Sequence, residues 1–368
     1  MSAQSRERRR FLACGSVGTA ALALSGSARG DGEPRVRWRM ASSFPKSLDN
    51  IFGAAEMLAQ RVRALTNGGF EIRVFAAGEI VPGLQVLDAC QQGTVECGQT
   101  QGFYYIGKNK AFAFDAAMPF GLNSRQHNAW MYQGGGLQLV RDLYREHGCI
   151  LFPAGNSGAQ MGGWYRREIG SLADFRGLKV RIPGIAGEIM ARLGAVPQTI
   201  PGADIYPALE KGTIDAAEWV GPYDDEKLGF YRVAPHYYFP GWWEGSSCIS
   251  FIVNLQQWNA LPGAYREAFE VASAEANVRM VAAYDARNPQ ALARLVSHGV
   301  RLHPYPKDVL VAAHTAAEAL YDEEASRNPV FKKFLLSWRK FRYEQTQWYR
   351  MSEATFNNFM ASQKLPPA

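Results

Sequence analysis

The alternation of two hydrophobic periods along the first half of the chain restricts its fold more than any other feature. From Arg35 to Met40 every second residue is apolar (Val36, Trp38, Met40), the mark of a strand with one buried face. From about Leu48 to Leu65 the apolar residues Ile51, Ala55, Leu58, Val62 and Leu65 recur at steps of three and four, and Gly68-Gly69 closes that helical stripe. Phe70 to Val74 then returns to period two. Strand, helix and strand in succession predict a β-α-β unit, and the theme recurs. A short helix is expected over 83–92, a strand from Val95 to Gln99 running into Phe103-Tyr104-Tyr105, a helix over 124–147, and a strand from Cys149 to Phe152 leading into Gly155-Asn156-Ser157-Gly158. Two further βα units follow: a strand at Leu178–Ile182 stopped by Pro183 with a helix over 187–193, then a helix over 206–211 with a strand over 214–219. Open α/β sheets bind ligands where strand ends meet polar loops, so the pocket is expected between such ends.

The C-terminal third differs. Residues 262–297 and 309–326 read as helices, and 329–363 as a single long one. Along this last segment Phe334, Phe341 and Trp348 fall seven apart, with Trp338 between them and Phe356 and Phe359 beyond. A stripe of that length exceeds what one lobe needs to cover, so it is either a dimer contact or a clasp across two lobes. At 368 residues the chain is long for one domain. The length suits two lobes or one large α/β unit; the two-lobed reading has mixed sheets flanked by helices and divides the chain in four. Lobe I spans 29–155, lobe II 156–252, helices and a returning strand shared between the lobes 253–328, and the long C-terminal helix 329–368.

Arg8-Arg9-Arg10-Phe11-Leu12 fits the twin-arginine pattern, and the weakly apolar run from Ala13 to Leu24 is too short for a membrane anchor. Small residues at Ser25 to Ala28 suit cleavage, so residues 1–28 are expected to form an export signal and the mature protein to be periplasmic. Cys14 precedes the apolar run, which argues against a lipoprotein anchor. Removing 1–28 takes away four arginines and one glutamate, lowering the formal charge from +6 to +3. Without a basic cluster interleaved with aromatics, nucleic acid is not an expected partner. The remaining cysteines, Cys90, Cys97, Cys149 and Cys248, match no metal or redox spacing. Cys90 and Cys97 are near enough in sequence for a disulfide, with ordinary buried thiols as the alternative. The six histidines lack a ligand spacing such as HxxxH.

Enzyme motifs are missing from the sequence: it contains no GxSxG, HExxH, Walker A or dinucleotide glycine fingerprint, and Gly134-Gly135-Gly136 follows a helical rather than a strand pattern. Arg181 stands out instead. A strand flanked by Val180 and Ile182 would hold its guanidinium among apolar neighbours, where it needs an anion. Either a ligand carboxylate or one of the protein's own acids would serve. Glu218-Trp219 ends an apolar strand, and Tyr237 to Glu244 is the densest aromatic run. Such aromatics wall a cleft or fill a core, and Glu218 and Glu244 are hard oxygen donors for a cation.

These same segments carry a family likeness. The stretch from Leu172 to Gly184 (LADFRGLKVRIPG), Leu193 to Pro197 (LGAVP) and Tyr206 to Asp215 (YPALEKGTID) resemble the solute-binding proteins of tripartite ATP-independent periplasmic (TRAP) transporters, the DctP type. Tyr104 to Lys108, Gln160 to Trp164, Asp215 to Trp219 and Pro240 to Glu244 look like the branch that binds 2-oxo monocarboxylates such as pyruvate, with its lactate-binding relatives. The resemblance implies a Venus-flytrap periplasmic binding protein without enzymatic activity, a membrane permease as partner, and a homodimer through the C-terminal helix. It implies Gln160 and Arg181 on the substrate carboxylate, with Asn156, Tyr104, Glu218 and Trp219 also at the substrate. A metal ion, Ca²⁺ or Na⁺, would bridge protein and substrate through Glu218, the main-chain carbonyl of Trp219, and Glu244. Where the sodium-dependent 2-oxoacid binder has an amide, this chain has Glu244, and the second carboxylate favours Ca²⁺. The alternatives are a C4-dicarboxylate or sugar acid as ligand, a periplasmic sensor subunit, or a secreted enzyme.

Overall fold

Eleven strands form two mixed sheets in the computed structural model, which describes residues 34–364; the export signal expected over 1–28 and Cys14 lie outside them. The first sheet runs β2 (Phe70–Phe75), β1 (Val36–Ser42), β3 (Cys97–Thr100), β10 (Cys248–Asn254), β4 (Cys149–Asn156). Its β1 is parallel to β2 and β3, and β10 is antiparallel to β3 and β4. The second sheet runs β11 (Arg301–Pro304), β9 (His236–Phe239), β5 (Trp164–Tyr165), β8 (Ala216–Ala217), β6 (Lys179–Arg181), β7 (Val196–Gln198). Here β6 is parallel to β7 and β8, β9 to β11, and β5 is antiparallel to both its neighbours. The fold is thus α/β with two mixed sheets, helices against them, and a long helix at the C-terminal end. No helix among the described residues is long and apolar enough to cross a membrane.

The chain crosses between the sheets twice near the site, from β4 to β5 and from β9 back to β10. The strand Cys248–Asn254, which the expected boundary at 252 divides, lies in the first sheet between β3 and β4. Helix Gly263–Ser297 bridges the two sheets. Its first half packs on helix Ile51–Leu65 and β4, whereas Tyr284 further along donates to Asp224 of helix Pro222–Leu228 (2.5 Å).

Several elements differ from the sequence reading for identifiable reasons. The helix expected over 124–147 is two helices, Ser124–Gln133 and Gly136–Glu146, because Gly135 takes a left-handed conformation (φ 82°) open to glycine. Tyr104 and Tyr105 do not extend a strand. They sit on the 3₁₀ turn Gly102–Tyr105, whose first N–H donates to the buried Asp115 carboxylate (3.1 Å). The C-terminal helix runs Pro329–Tyr349, widens for one π-turn over Arg350–Ala354, and continues as Thr355–Ser362. Its aromatic stripe divides. Phe331, Phe334 and Trp338 are buried against Phe114, ring centroids 5.0–5.9 Å apart, each contributing about 1.5–3 kcal/mol by burial. Beyond them Tyr343, Trp348, Phe356 and Phe359 are exposed. The first half is therefore a clasp on the body, and only the second half is free for another role. All four described cysteines are buried free thiols, so Cys90 and Cys97 form no disulfide; their sulfurs reach the carbonyls of Ile252 and Arg39 instead (3.6 Å each).

Candidate functional site

The ends of β1, β3, β6 and β8 converge with the two crossover segments on one small, partly open cavity. Phe44 follows β1, Ile51 opens the next helix, and Gln101, Phe103 and Tyr104 follow β3; Arg181 closes β6, and Glu218, Trp219 and Val220 follow β8. Gln160 and Glu244 come from the crossovers. The parallel register sets Arg181 beside Ala217, which leaves Glu218 next to its side chain. The short strand thus ends at the point where its last residue needs a counter-charge. A wider groove along β1 and β2 is lined by Arg37, Arg39, Arg63 and Arg73, but it is open and its arginines are in part paired with Glu71 and Glu96.

Arg181 is 2 % exposed, and its donors are directed. Nε donates to the Ile200 carbonyl (3.0 Å), while Nη1 donates to the Glu218 carbonyl (3.1 Å) and to the Glu218 carboxylate. The Trp219 ring lies 5.0 Å from the guanidinium carbon, a cation–π contact of about 0.5–2 kcal/mol. The question left open by the sequence is answered in part: Arg181 pairs with an acid of its own chain, and that acid lines the cavity with it.

The crossovers are tied to each other at the site. The Ser157 N–H donates to the Ser247 carbonyl, and Ser157 Oγ accepts from the Ser247 N–H and from Gln160 Nε2, each at 2.9 Å. Gln101 reaches the same place by donating to Ser247 Oγ (2.6 Å). Gly241 donates to the Gln160 carbonyl (3.0 Å), and a Cβ on it would stand 2.8 Å from the Met161 carbonyl, so this close approach requires glycine. That contact sets where Glu244 enters. Two buried polar atoms among the lining residues have no hydrogen-bond partner, Gln160 Oε1 and Trp219 Nε1. Unpaired buried groups are disfavoured by about 1–3 kcal/mol each, so a ligand that met these two would be favoured by doing so.

Charge in the cavity is unbalanced. Glu218 and Glu244 are both buried, and burial raises both carboxyls above the ordinary range. Arg181 opposes the shift at Glu218, whereas the charge of Glu218 adds to it at Glu244. Burial also pushes the Tyr104 phenol up to about 12, so it is a neutral hydrogen-bonding group. One guanidinium therefore faces two carboxyl groups.

Of the residues singled out in the sequence, Gln160, Arg181, Tyr104, Glu218, Trp219 and Glu244 all line this cavity. Asn156 does not. Its Oδ1 caps the Gly158 N–H (2.9 Å) and its Nδ2 faces Ser246 Oγ (3.4 Å), so it shapes the crossover behind the site. Trp243, of the aromatic run from Tyr237 to Glu244, packs on Trp242 and Tyr305 in the core, and the wall of the cavity is made by Phe44, Phe103, Tyr104 and Trp219. Phe44, Ile51, Gln101, Phe103 and Val220 were not foreseen; the rule that strand ends carry the ligand groups would have found Phe44 and Gln101.

An α/β body with two sheets, joined by crossovers that deliver a buried arginine, two acids and unpartnered polar atoms to one small cavity, is built as a receptor for a small charged solute. The chain belongs to the DctP family, described as bacterial extracellular solute-binding protein, family 7, which matches residues 41–328. A monocarboxylate 2-oxoacid-binding periplasmic protein of Nostoc sp. is 49% identical over 97% of this chain and 99% of its own. A TRAP transporter solute-binding protein of Bordetella bronchiseptica is 53% identical with a TM-score of 0.88, over 89% of this chain and 98% of its own; its structure is a mixed-occupancy dimer with copurified calcium and picolinate in one active site. A counterpart from Pseudoalteromonas atlantica with bound sodium and pyruvate is 33% identical with a TM-score of 0.86, over 90% of this chain and all of its own (100%).

Proposed function

We propose that this protein captures a small 2-oxo monocarboxylate such as pyruvate, together with a divalent cation, and delivers it to a TRAP membrane permease. The observation that carries this reading is the gathering of Arg181, Glu218, Glu244 and the unpartnered Gln160 Oε1 and Trp219 Nε1 around one small cavity. The cavity is small, which suits an acid of a few heavy atoms rather than a larger ligand. Gln160 and Arg181 hold the substrate carboxylate, and Tyr104 and Trp219 complete the wall. Gln160 presents its amide, whose two ends exchange by a simple flip, so that it donates to the substrate.

The donor set fits a hard cation: the carboxylates of Glu218 and Glu244 and the main-chain carbonyl of Trp219 supply oxygen, and both acids are buried. When bound, such an ion supplies positive charge that the cavity lacks. With both acids ionised, Arg181 and Ca²⁺ balance them and one substrate carboxylate, whereas Na⁺ leaves one negative charge over. Glu218 serves as the internal counter-ion of Arg181, and a substrate carboxylate competes for the same guanidinium. The relatives support both ions, with calcium in the Bordetella protein and sodium in the Pseudoalteromonas protein, and Glu244 favours calcium here.

In this reading lobes I and II close about the paired crossovers, because only the closed arrangement lets groups from both sheets touch one ligand. Binding leaves the acid chemically unchanged, and recovery of the intact ligand distinguishes a receptor from a secreted enzyme. The twin-arginine segment at Arg8-Arg9 directs export to the periplasm. The exposed half of the C-terminal helix, with Tyr343, Trp348, Phe356 and Phe359, forms a homodimer contact; F356S/F359S should then lower the mass measured by light scattering.

A thermal-shift screen of chelator-treated protein with pyruvate, lactate, a C4-dicarboxylate and a sugar acid, each with Ca²⁺ or Na⁺, tests the reading. Pyruvate with Ca²⁺ should give the largest shift, about 2.7 kcal/mol of stabilisation at a hundredfold excess over Kd. A larger shift with a dicarboxylate, or a pyruvate shift indifferent to cations, would overturn it. Glu244→Gln should move the ion preference toward Na⁺.

A further inference from the structure

At the far edge of the second sheet, two histidines distant in sequence meet. His236 opens β9 and His303 lies in β11; in their parallel register His236 pairs with Arg301 and His303 with Tyr238, so both rings share one face. His236 Nδ1 and His303 Nε2 are 3.0 Å apart. Glu168, in the loop after β5, places Oε1 3.9 Å from His303 Nδ1, the ring nitrogen other than the one that faces His236, so its carboxylate must swing round the ring to join an ion held between the two imidazoles; one ligand atom from each of the three residues lies within 4.8 Å of the other two.

We infer that Glu168, His236 and His303 form a site for a borderline-soft divalent cation, Zn²⁺ in the first instance, separate from the solute cavity. Two imidazole nitrogens bound to one tetrahedral zinc at about 2.0–2.1 Å stand roughly 3.3 Å apart, close to the spacing already present. A ring-to-ring hydrogen bond requires one nitrogen to act as acceptor, so a lone pair is already aimed into the gap. His236 is buried and His303 is partly buried under the stacked Tyr238 ring (5.0 Å), so both are positioned; Glu168 is 65 % exposed and free to close the remaining distance. Two imidazoles and one carboxylate, with a fourth position left to solvent, suit Zn²⁺ or Cu²⁺ and not Ca²⁺. Arg301, opposite His236 in register, and Arg167, adjacent to Glu168 in the chain, carry the same sign of charge as the ion and oppose its binding. The ion would tie β11, an edge strand bonded only to β9, to the loop that leaves β5.

This inference does not depend on the solute reading, and its test keeps the two apart. Chelator-treated protein is titrated with zinc chloride by calorimetry, with melting followed in parallel, for the wild type, His303→Ala, His303→Asn, Glu168→Gln and the cavity variant Glu244→Gln. The wild type and Glu244→Gln should bind one zinc per chain and melt at higher temperature with it. Both His303 variants should bind at least about tenfold more weakly, and Glu168→Gln by a smaller factor. Unchanged zinc binding in a His303 variant that melts normally without metal would overturn the site, as would a wild type that takes up no zinc, or loss of binding in Glu244→Gln alone.

Discussion

The two sides of the solute cavity are made of different chemistry. The first sheet and its loops bring Phe44, Ile51, Gln101, Phe103 and Tyr104, none of them ionised, whereas β6, β8 and the segments around them bring Arg181 and Glu218, with Glu244 from a crossover. Opposite charges in a low-dielectric site must be held together to be stable, and two neighbouring strands of one sheet do this through a fixed register. The opposite side needs only to exclude water. The charge of the cavity is thus confined to the part of the molecule that can hold it rigidly.

If this division is right, the largest effect comes from removing the cation and leaving its partner. Arg181→Met strands Glu218 in the interior and should lower stability by about 3–5 kcal/mol in urea unfolding. A loss under about 1 kcal/mol would mean that the charged side tolerates isolation of its acid. Arg181→Lys keeps the charge and removes the planar fork, so stability should suffer less while affinity for pyruvate with Ca²⁺ falls by about 1.5–3 kcal/mol in calorimetry. Unchanged affinity would assign Arg181 to Glu218 alone.

Acidity sharpens the comparison. Behind the charged side, burial pushes Asp224 up to about 7 and Asp225 up to about 6, with Asp224 held by Tyr284 and Asp225 by Tyr237 (2.7 Å) and Trp164 (2.8 Å). A carboxyl raised in the folded state binds its proton more tightly there than in the unfolded chain. Its contribution is complete below about pH 4 and is lost as pH rises through about 7. Asp224→Asn should flatten the decline in melting temperature between about pH 4 and pH 7; a slope equal to the wild type would exclude Asp224 as its source. The smallest effect should lie on the neutral side. Tyr104→Phe removes one hydroxyl and should weaken binding by about 0.5–1.5 kcal/mol, and a loss larger than that of Arg181→Lys would invert the comparison.

Much of the charged side was legible in the sequence because its residues adjoin strands with clear apolar patterns: Arg181 between Val180 and Ile182, and Glu218 after Ala216-Ala217. The neutral side was harder to read. Tyr104 was found through the family likeness, but Gln101 and Phe44 sit in short connections whose direction depends on the turns that follow. Asn156 and Trp243 had the right composition and neighbourhood, yet the paired crossovers direct one to a backbone cap and the other to the core. The break at Gly135 was written in the three consecutive glycines, and only the left-handed backbone there shows which of them ends the helix.

The sequence by itself determined the alternation of strands and helices, the buried arginine and its need for an anion, and the aromatic stripe of the last helix, because each depends on neighbours within a few residues. The tertiary structure decided which acid meets Arg181, which half of the stripe is buried, and where the crossovers bring Gln160 and Glu244 together. It also joined His236 to His303, sixty-seven residues apart, after their sequence spacing had shown no ligand pattern. Strand register sets those distances, and register is fixed only when whole sheets pack.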